Sequence, residues 1–113
     1  MNLLANAINA LCEDCHATAV DKGWYDTELK PPELIALCHS ELSEALECYR
    51  DDDDLGLGYR EGEKPDGFVV ELADTLIRIF DMAAFLKLDL GAALIEKMRY
   101  NTTRPYRHGN KRA

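Results

Sequence analysis

Apolar positions recur at helical spacing along most of the chain. Between Leu3 and Lys22, the residues Leu4, Ile8, Leu11, Cys12, Cys15 and Ala19 return every three or four positions and draw one helix face. Asn2 is placed to cap this segment and Gly23 to end it. Trp24-Tyr25 and a polar connection lead to Pro31-Pro32, residues suited to a first helical turn. A second helical segment runs from about Pro32 to Arg50. A third covers about Phe68 to Leu88, and a fourth covers Leu90 to Asn101 or a little beyond, closing near Arg104-Pro105. Between segments two and three, Asp51 to Gly67 reads as a loop of consecutive aspartates, glycines and Pro65. No strand-period alternation of any length is visible, and no helix pattern recurs as a long repeat. The expectation is an all-α fold, a four-helix bundle-like protomer.

Two polar interruptions break this pattern. On segment two, Leu34, Leu37, Cys38, Leu42, Ala45, Cys48 and Tyr49 share one broad arc, and Glu41 falls inside it with Glu44 at its edge. Segment three is apolar nearly all round except for a narrow stripe of Glu71, Asp74, Arg78 and Asp81. A carboxylate turned toward a core costs several kcal/mol unless it finds a cation or gives up its charge. Two such pairs, Glu41-x-x-Glu44 and Glu71-x-x-Asp74, on facing helices make a hard, all-oxygen site suited to magnesium, with manganese a possible substitute. A di-iron bundle would need a Glu-x-x-His element, which is missing. Arg78 and Asp81 are expected to pair with neighbouring charges in support of that site. The two segments together look like a degenerate duplication.

Composition narrows the field. At 113 residues the chain is one domain, residues 1–113, with room for one modest core. Helices this apolar exceed what so short a monomer can cover, so a homo-oligomer, dimer or tetramer, is expected to complete them. The formal charge of −8 argues against a nucleic-acid surface, yet leaves room for a nucleotide if divalent cations lie between acids and phosphates. No apolar run approaches the roughly 20 residues of a membrane span. Met1-Asn2-Leu3-Leu4-Ala5 has no basic n-region, so a cytoplasmic location with reduced cysteines is the expectation.

The acidic pairs, together with Lys22-Gly-Trp-Tyr, the Pro32-to-Arg50 helix and the run Lys97-Met-Arg-Tyr-Asn101-Thr-Thr-Arg104-Pro-Tyr-Arg-His108-Gly-Asn-Lys111, resemble the MazG-like all-α nucleotide pyrophosphohydrolases over nearly the whole chain. The resemblance implies magnesium-dependent hydrolysis of a nucleoside triphosphate to monophosphate and pyrophosphate. Glu41, Glu44, Glu71 and Asp74 would hold the metal, and Glu44 would also take the proton from the attacking water. One departure is Ser40, which stands where the family often has the first of two glutamates. Lys97, Asn101 and Arg104, spaced i, i+4, i+7, would clamp phosphates, with His108 and Lys111 in a mobile basic tail from about residue 104 to 113. Trp24 either stacks on the base or packs against the core.

Other patterns carry less. Cys12-Glu-Asp-Cys15-His16 matches the c-type haem attachment pattern, but that chemistry belongs to exported proteins and both cysteines lie on the apolar face. A zinc site from Cys12, Cys15, Cys38 and His39 is disfavoured because Cys38 and His39 diverge by about 100° on their helix. Buried thiols are the better reading. Asp51 to Asp54 lacks EF-hand spacing, and Gly56 and Gly58 lack a phosphate-loop context. The alternative to an enzyme is a non-catalytic helical oligomer whose acids bind structural cations.

Overall fold

The computed structural model of the chain describes residues 2–51, 55–59 and 64–107. Among these, four helices carry the fold: α1 (Leu3–Asp21), α2 (Pro31–Asp51), α3 (Phe68–Phe85) and α4 (Leu90–Thr103). The all-α class follows the periodicity. Asn2 Oδ1 accepts the Ala5 N–H at 3.0 Å, the cap its position foretold. Helix α1 closes through Gly23, whose φ of 86° lets Trp24 N–H reach back to the Ala19 carbonyl at 3.0 Å. This turn sets the direction in which Trp24 and Tyr25 leave the helix.

Two boundaries differ from the sequence reading. Helix α3 stops at Phe85 rather than Leu88, because Lys87 takes a left-handed φ of 58° and Leu88 N–H folds back onto the Ala83 carbonyl at 2.9 Å. The Asp51-to-Gly67 loop also contains an antiparallel pair, β1 (Gly58–Tyr59) with β2 (Pro65–Asp66). Strands of two residues are too short to show any alternation. Asp52 to Asp54 lie outside the described residues.

Helix α3 is the central element. It packs against both α1 and α2, while α4 packs against α1. The core is thin: Cys12, Leu34, Ala45 and Ala83 are buried, and among the described residues no large side chain is fully enclosed. Large apolar residues instead remain exposed in rows, Ile35, Leu42, Leu46 and Tyr49 on α2 and Val69, Leu72 and Leu76 on α3. Leu42 and Leu76 each keep about half their surface in water, at 51%. Burying such side chains would stabilise the chain by roughly 1.5–3 kcal/mol each, so these rows are faces without a cover in a single copy.

The contact of α4 with α1 is fixed by polar atoms. Asn9 Oδ1 accepts the Gly91 N–H at 2.8 Å, and Asn9 Nδ2 donates to Asp89 Oδ1 at 2.9 Å. The same Asp89 oxygen caps α4 by accepting the Ala92 N–H at 3.0 Å. Gly91 is buried because its α-carbon lies against the α1 backbone, where an added Cβ would overlap the Ala5 carbonyl. Backbone cannot yield as a flexible side chain would. Gly91→Ala should therefore destabilise the protein by roughly 2–3 kcal/mol and lower its melting temperature by about 10 °C. A wild-type melt for this variant would show that the two helices do not approach so closely.

Candidate metal centre

Packing of α2 on α3 brings the acidic pairs together. One carboxylate oxygen from each of Glu41, Glu44 and Glu71 lies within 4.8 Å of the others. Glu41 and Glu71 are half-buried and Glu44 is exposed. Asp74 stands outside that three-oxygen set but shares a cavity with Glu41, and its charge acts on Glu71. The four residues named from the sequence thus occupy one neighbourhood, with three in a tight cluster and the fourth beside them.

The electrostatics are unfavourable without a cation. Burial pushes the Glu71 carboxyl up to about 7, helped by a hydrogen bond with Glu44 and by the charges of Asp74, Glu44 and Glu41. Glu41 is raised by burial and by Glu44, with Arg78 opposing. The Arg78 Nε and Nη2 atoms donate to Glu41 Oε1 at 3.3 and 3.2 Å. Among the described residues this is the one ion pair that any of the four acids makes. Glu71 Oε2 is buried and accepts no hydrogen bond. An unmet buried oxygen costs about 1–3 kcal/mol. Together the oxygen-only set and this unmet oxygen suit a hard divalent cation.

Beside the cluster lies a cavity of about 430 Å³, lined by Trp24, Asp14, Thr18, Glu41, Asp74 and Arg78 among others. Trp24 opens onto it and also borders a second cavity of about 740 Å³ with Thr27, Glu33 and Leu37. The Arg78 guanidinium lies 4.7 Å from the centre of the Trp24 ring. Trp24 is half exposed, so it is not packed within the core.

An anchor unforeseen in its partners sits behind this wall. Asp81 is buried, and its Oδ2 accepts the Tyr25 hydroxyl at 2.8 Å while its Oδ1 lies 2.8 Å from His16 Nδ1. The rings of His16, Tyr25 and Phe85 pack within 6 Å of one another, with the Tyr25 and Phe85 centroids 4.5 Å apart. Burial and the bond to Asp81 raise the Tyr25 hydroxyl well above its ordinary range, so it stays a donor. This cluster ties the end of α1 and the Trp24 turn to α3. Asp81 and Arg78 were both legible as support from their stripe, but their partners were not. Burial also pushes up the thiols of Cys12, Cys15 and Cys38, and among the described residues the glutamates form the one group that could share a metal.

Among the described residues, those expected to clamp phosphates do not approach the acids. Helix α4 packs on α1, and among the described residues none of its side chains lines the cavity at the acids. Lys97 and Asn101 are exposed. Arg104 is no longer on the helix but at its C-cap, in extended conformation with ψ of 151°. Lys97 Nζ and the Arg104 guanidinium nevertheless meet over one ring, 4.9 and 5.8 Å from the Tyr100 centroid. His108 and Lys111 lie outside the described residues.

Comparison of the chain with protein-family models, with curated proteins and with solved structures finds no significant match. Among the described residues no helix is long and apolar enough to cross a membrane.

The raised Glu71 pKa gives a signed prediction. The folded chain holds a proton at Glu71 up to pH of about 7, whereas the unfolded chain releases it near 4.5. Between those values the native state binds more protons, so the contribution of Glu71 is full below pH 4.5 and is lost as pH rises through 7. In chelator, stability should fall across this window by on the order of 1–2 kcal/mol after screening by water. Glu71→Gln should remove most of that slope in thermal melts. An unchanged slope would mean that Glu71 is an ordinary solvated acid.

Proposed function

We propose that the chain is a magnesium-dependent nucleoside triphosphate pyrophosphohydrolase, yielding nucleoside monophosphate and pyrophosphate from ribo- or deoxyribonucleotides. The carrying observation is the cluster of Glu41, Glu44 and Glu71, with an unmet buried oxygen on Glu71, beside a cavity walled by Trp24. The resemblance of both acidic pairs and of the Lys97-to-Lys111 run to MazG-like enzymes supports the same reading.

Glu41, Glu44 and Glu71 would hold the metal, with Asp74 as a fourth oxygen donor. When bound, magnesium supplies charge neutralisation on the polyphosphate and alignment of the attacking water. Glu44 is exposed, so its carboxylate can receive the proton from that water. Trp24 offers a base an aromatic wall in the adjoining cavity, and the acids face the polyphosphate. The net charge of −8 favours a free metal–nucleotide complex over a nucleic acid, in a reducing cytoplasm.

The uncovered rows on α2 and α3 support a homo-oligomer in which second copies bury them. In such an assembly the phosphate contacts of Lys97, Asn101 and Arg104 fall to the α4 of another copy.

A panel of nucleoside triphosphates, assayed for pyrophosphate release with and without magnesium, tests the reading. Wild type should release pyrophosphate from at least one nucleotide in a metal-dependent way. Glu41→Gln and Asp74→Asn should abolish turnover while sparing or raising metal-free stability, since repulsion is relieved. Magnesium binding without any turnover would instead favour the non-catalytic oligomer with structural cations, and normal rates in either variant would remove these residues from the site. Sedimentation of the same samples should show an oligomer, and its interfaces should each bury well over ~1,200 Å² in a structure of the assembly. A folded monomer at micromolar concentration would contradict the assembly.

A further inference from the structure

We propose that Arg78 is a built-in counter-ion of the acidic centre, holding Glu41 while no divalent cation is bound and yielding it when one arrives. The proposal rests on the metal reading above and adds to it a residue that competes with the metal. Arg78 lies one helical turn beyond Asp74 on the polar stripe of α3, so its guanidinium reaches across to α2. Both of its bonds converge on one oxygen, Glu41 Oε1, at 3.2 and 3.3 Å. A fork-to-fork pair would use both carboxylate oxygens, and strong charge-assisted bonds are shorter, at about 2.7–2.9 Å. The grip is therefore loose and one-sided.

Glu41 is also one of the three residues whose oxygens converge within 4.8 Å. A dication among those oxygens would sit close to the guanidinium and repel it. The way out is open, because the side chain keeps 24% of its surface in water and borders the 430 Å³ cavity. Its guanidinium carbon lies 4.7 Å from the ring centre of Trp24, the single tryptophan of the chain. Metal entry at the acids and the environment of Trp24 are thus linked through one side chain. A residue that only orients Glu41 would leave its bonds in place when the metal binds, so the two roles predict opposite signs.

The test is a magnesium titration of the full-length protein, following Trp24 emission and, independently, the thermal shift. Wild-type emission should change and saturate with the same midpoint as the thermal shift. Arg78→Gln should bind magnesium about tenfold more tightly, be less stable without metal, and lose most of the emission change. Arg78→Lys, which keeps the charge but not the planar fork, should restore weaker binding. Weaker or equal binding in Arg78→Gln would overturn the counter-ion role and make Arg78 an orienting support. Should that variant not fold, wild-type emission that stays constant while the thermal shift saturates would overturn it equally. If neither wild type nor a folded variant binds magnesium, the metal reading itself fails and the proposal goes with it.

Discussion

Repulsion among the carboxylates at the contact of α2 with α3 is the constraint on which the rest depends. Two charges 4.8 Å apart repel by about 0.9 kcal/mol in water and roughly 3.5 kcal/mol at an effective dielectric near 20. Three half-buried or exposed glutamates share this space with Asp74 close by, and Arg78 gives partial relief. Burial first, and then the bond with Glu44 and the neighbouring charges, raise the Glu71 carboxyl to about 7, so protonation offers a further relief. Against a net stability of about 5–15 kcal/mol, a repulsion of this size is a sizeable cost. A divalent cation held by these oxygens would relieve it, as proposed above.

The stripe of α3 that carries Glu71 and Asp74 is also tied to α1. Asp81 is bonded by Tyr25 and His16, so the end of α1 is stapled to the same stripe that carries Glu71, Asp74 and Arg78. Gly23 turns the chain so that Trp24 faces the cavity while Tyr25 faces the anchor. The wall of the cavity and the support of the acids are therefore one mechanical unit. Helix α4 is set apart on α1, where Asn9, Asp89 and Gly91 hold it, and so its cations take no part in balancing the acids within one copy.

Much of this was legible in the chain. Helical periodicity gave all four helices, and the mismatch of Glu41 with its apolar arc pointed to a site before any coordinates. Segment three showed Arg78 and Asp81 on the same stripe as the acids, which marked them as support. The partners of Asp81 were not legible, because they lie 65 and 56 residues away and nothing local pairs a histidine or a tyrosine with it. The docking of α4 was hidden for a related reason. A buried glycine at a helix start has no hydrophobic signal, and Asn9 looks like any polar position on α1. The spacing of Lys97, Asn101 and Arg104 implied a common face, but the helix ends at Thr103 and leaves Arg104 beyond it.

At about 100° per residue, the uncovered apolar rows of α2 and α3 fall on faces turned away from the acids. The central proposal is local: that Glu41, Glu44 and Glu71, with Asp74 beside them, hold a divalent cation. Anomalous diffraction from crystals grown with manganese tests it most directly. The account predicts a peak bonded to oxygens of Glu41, Glu44 and Glu71 at roughly 2.0–2.4 Å, the range for hard cations on carboxylates. Well-ordered glutamates with no anomalous peak among them, at millimolar manganese and with Arg78 still bonded to Glu41, would contradict it.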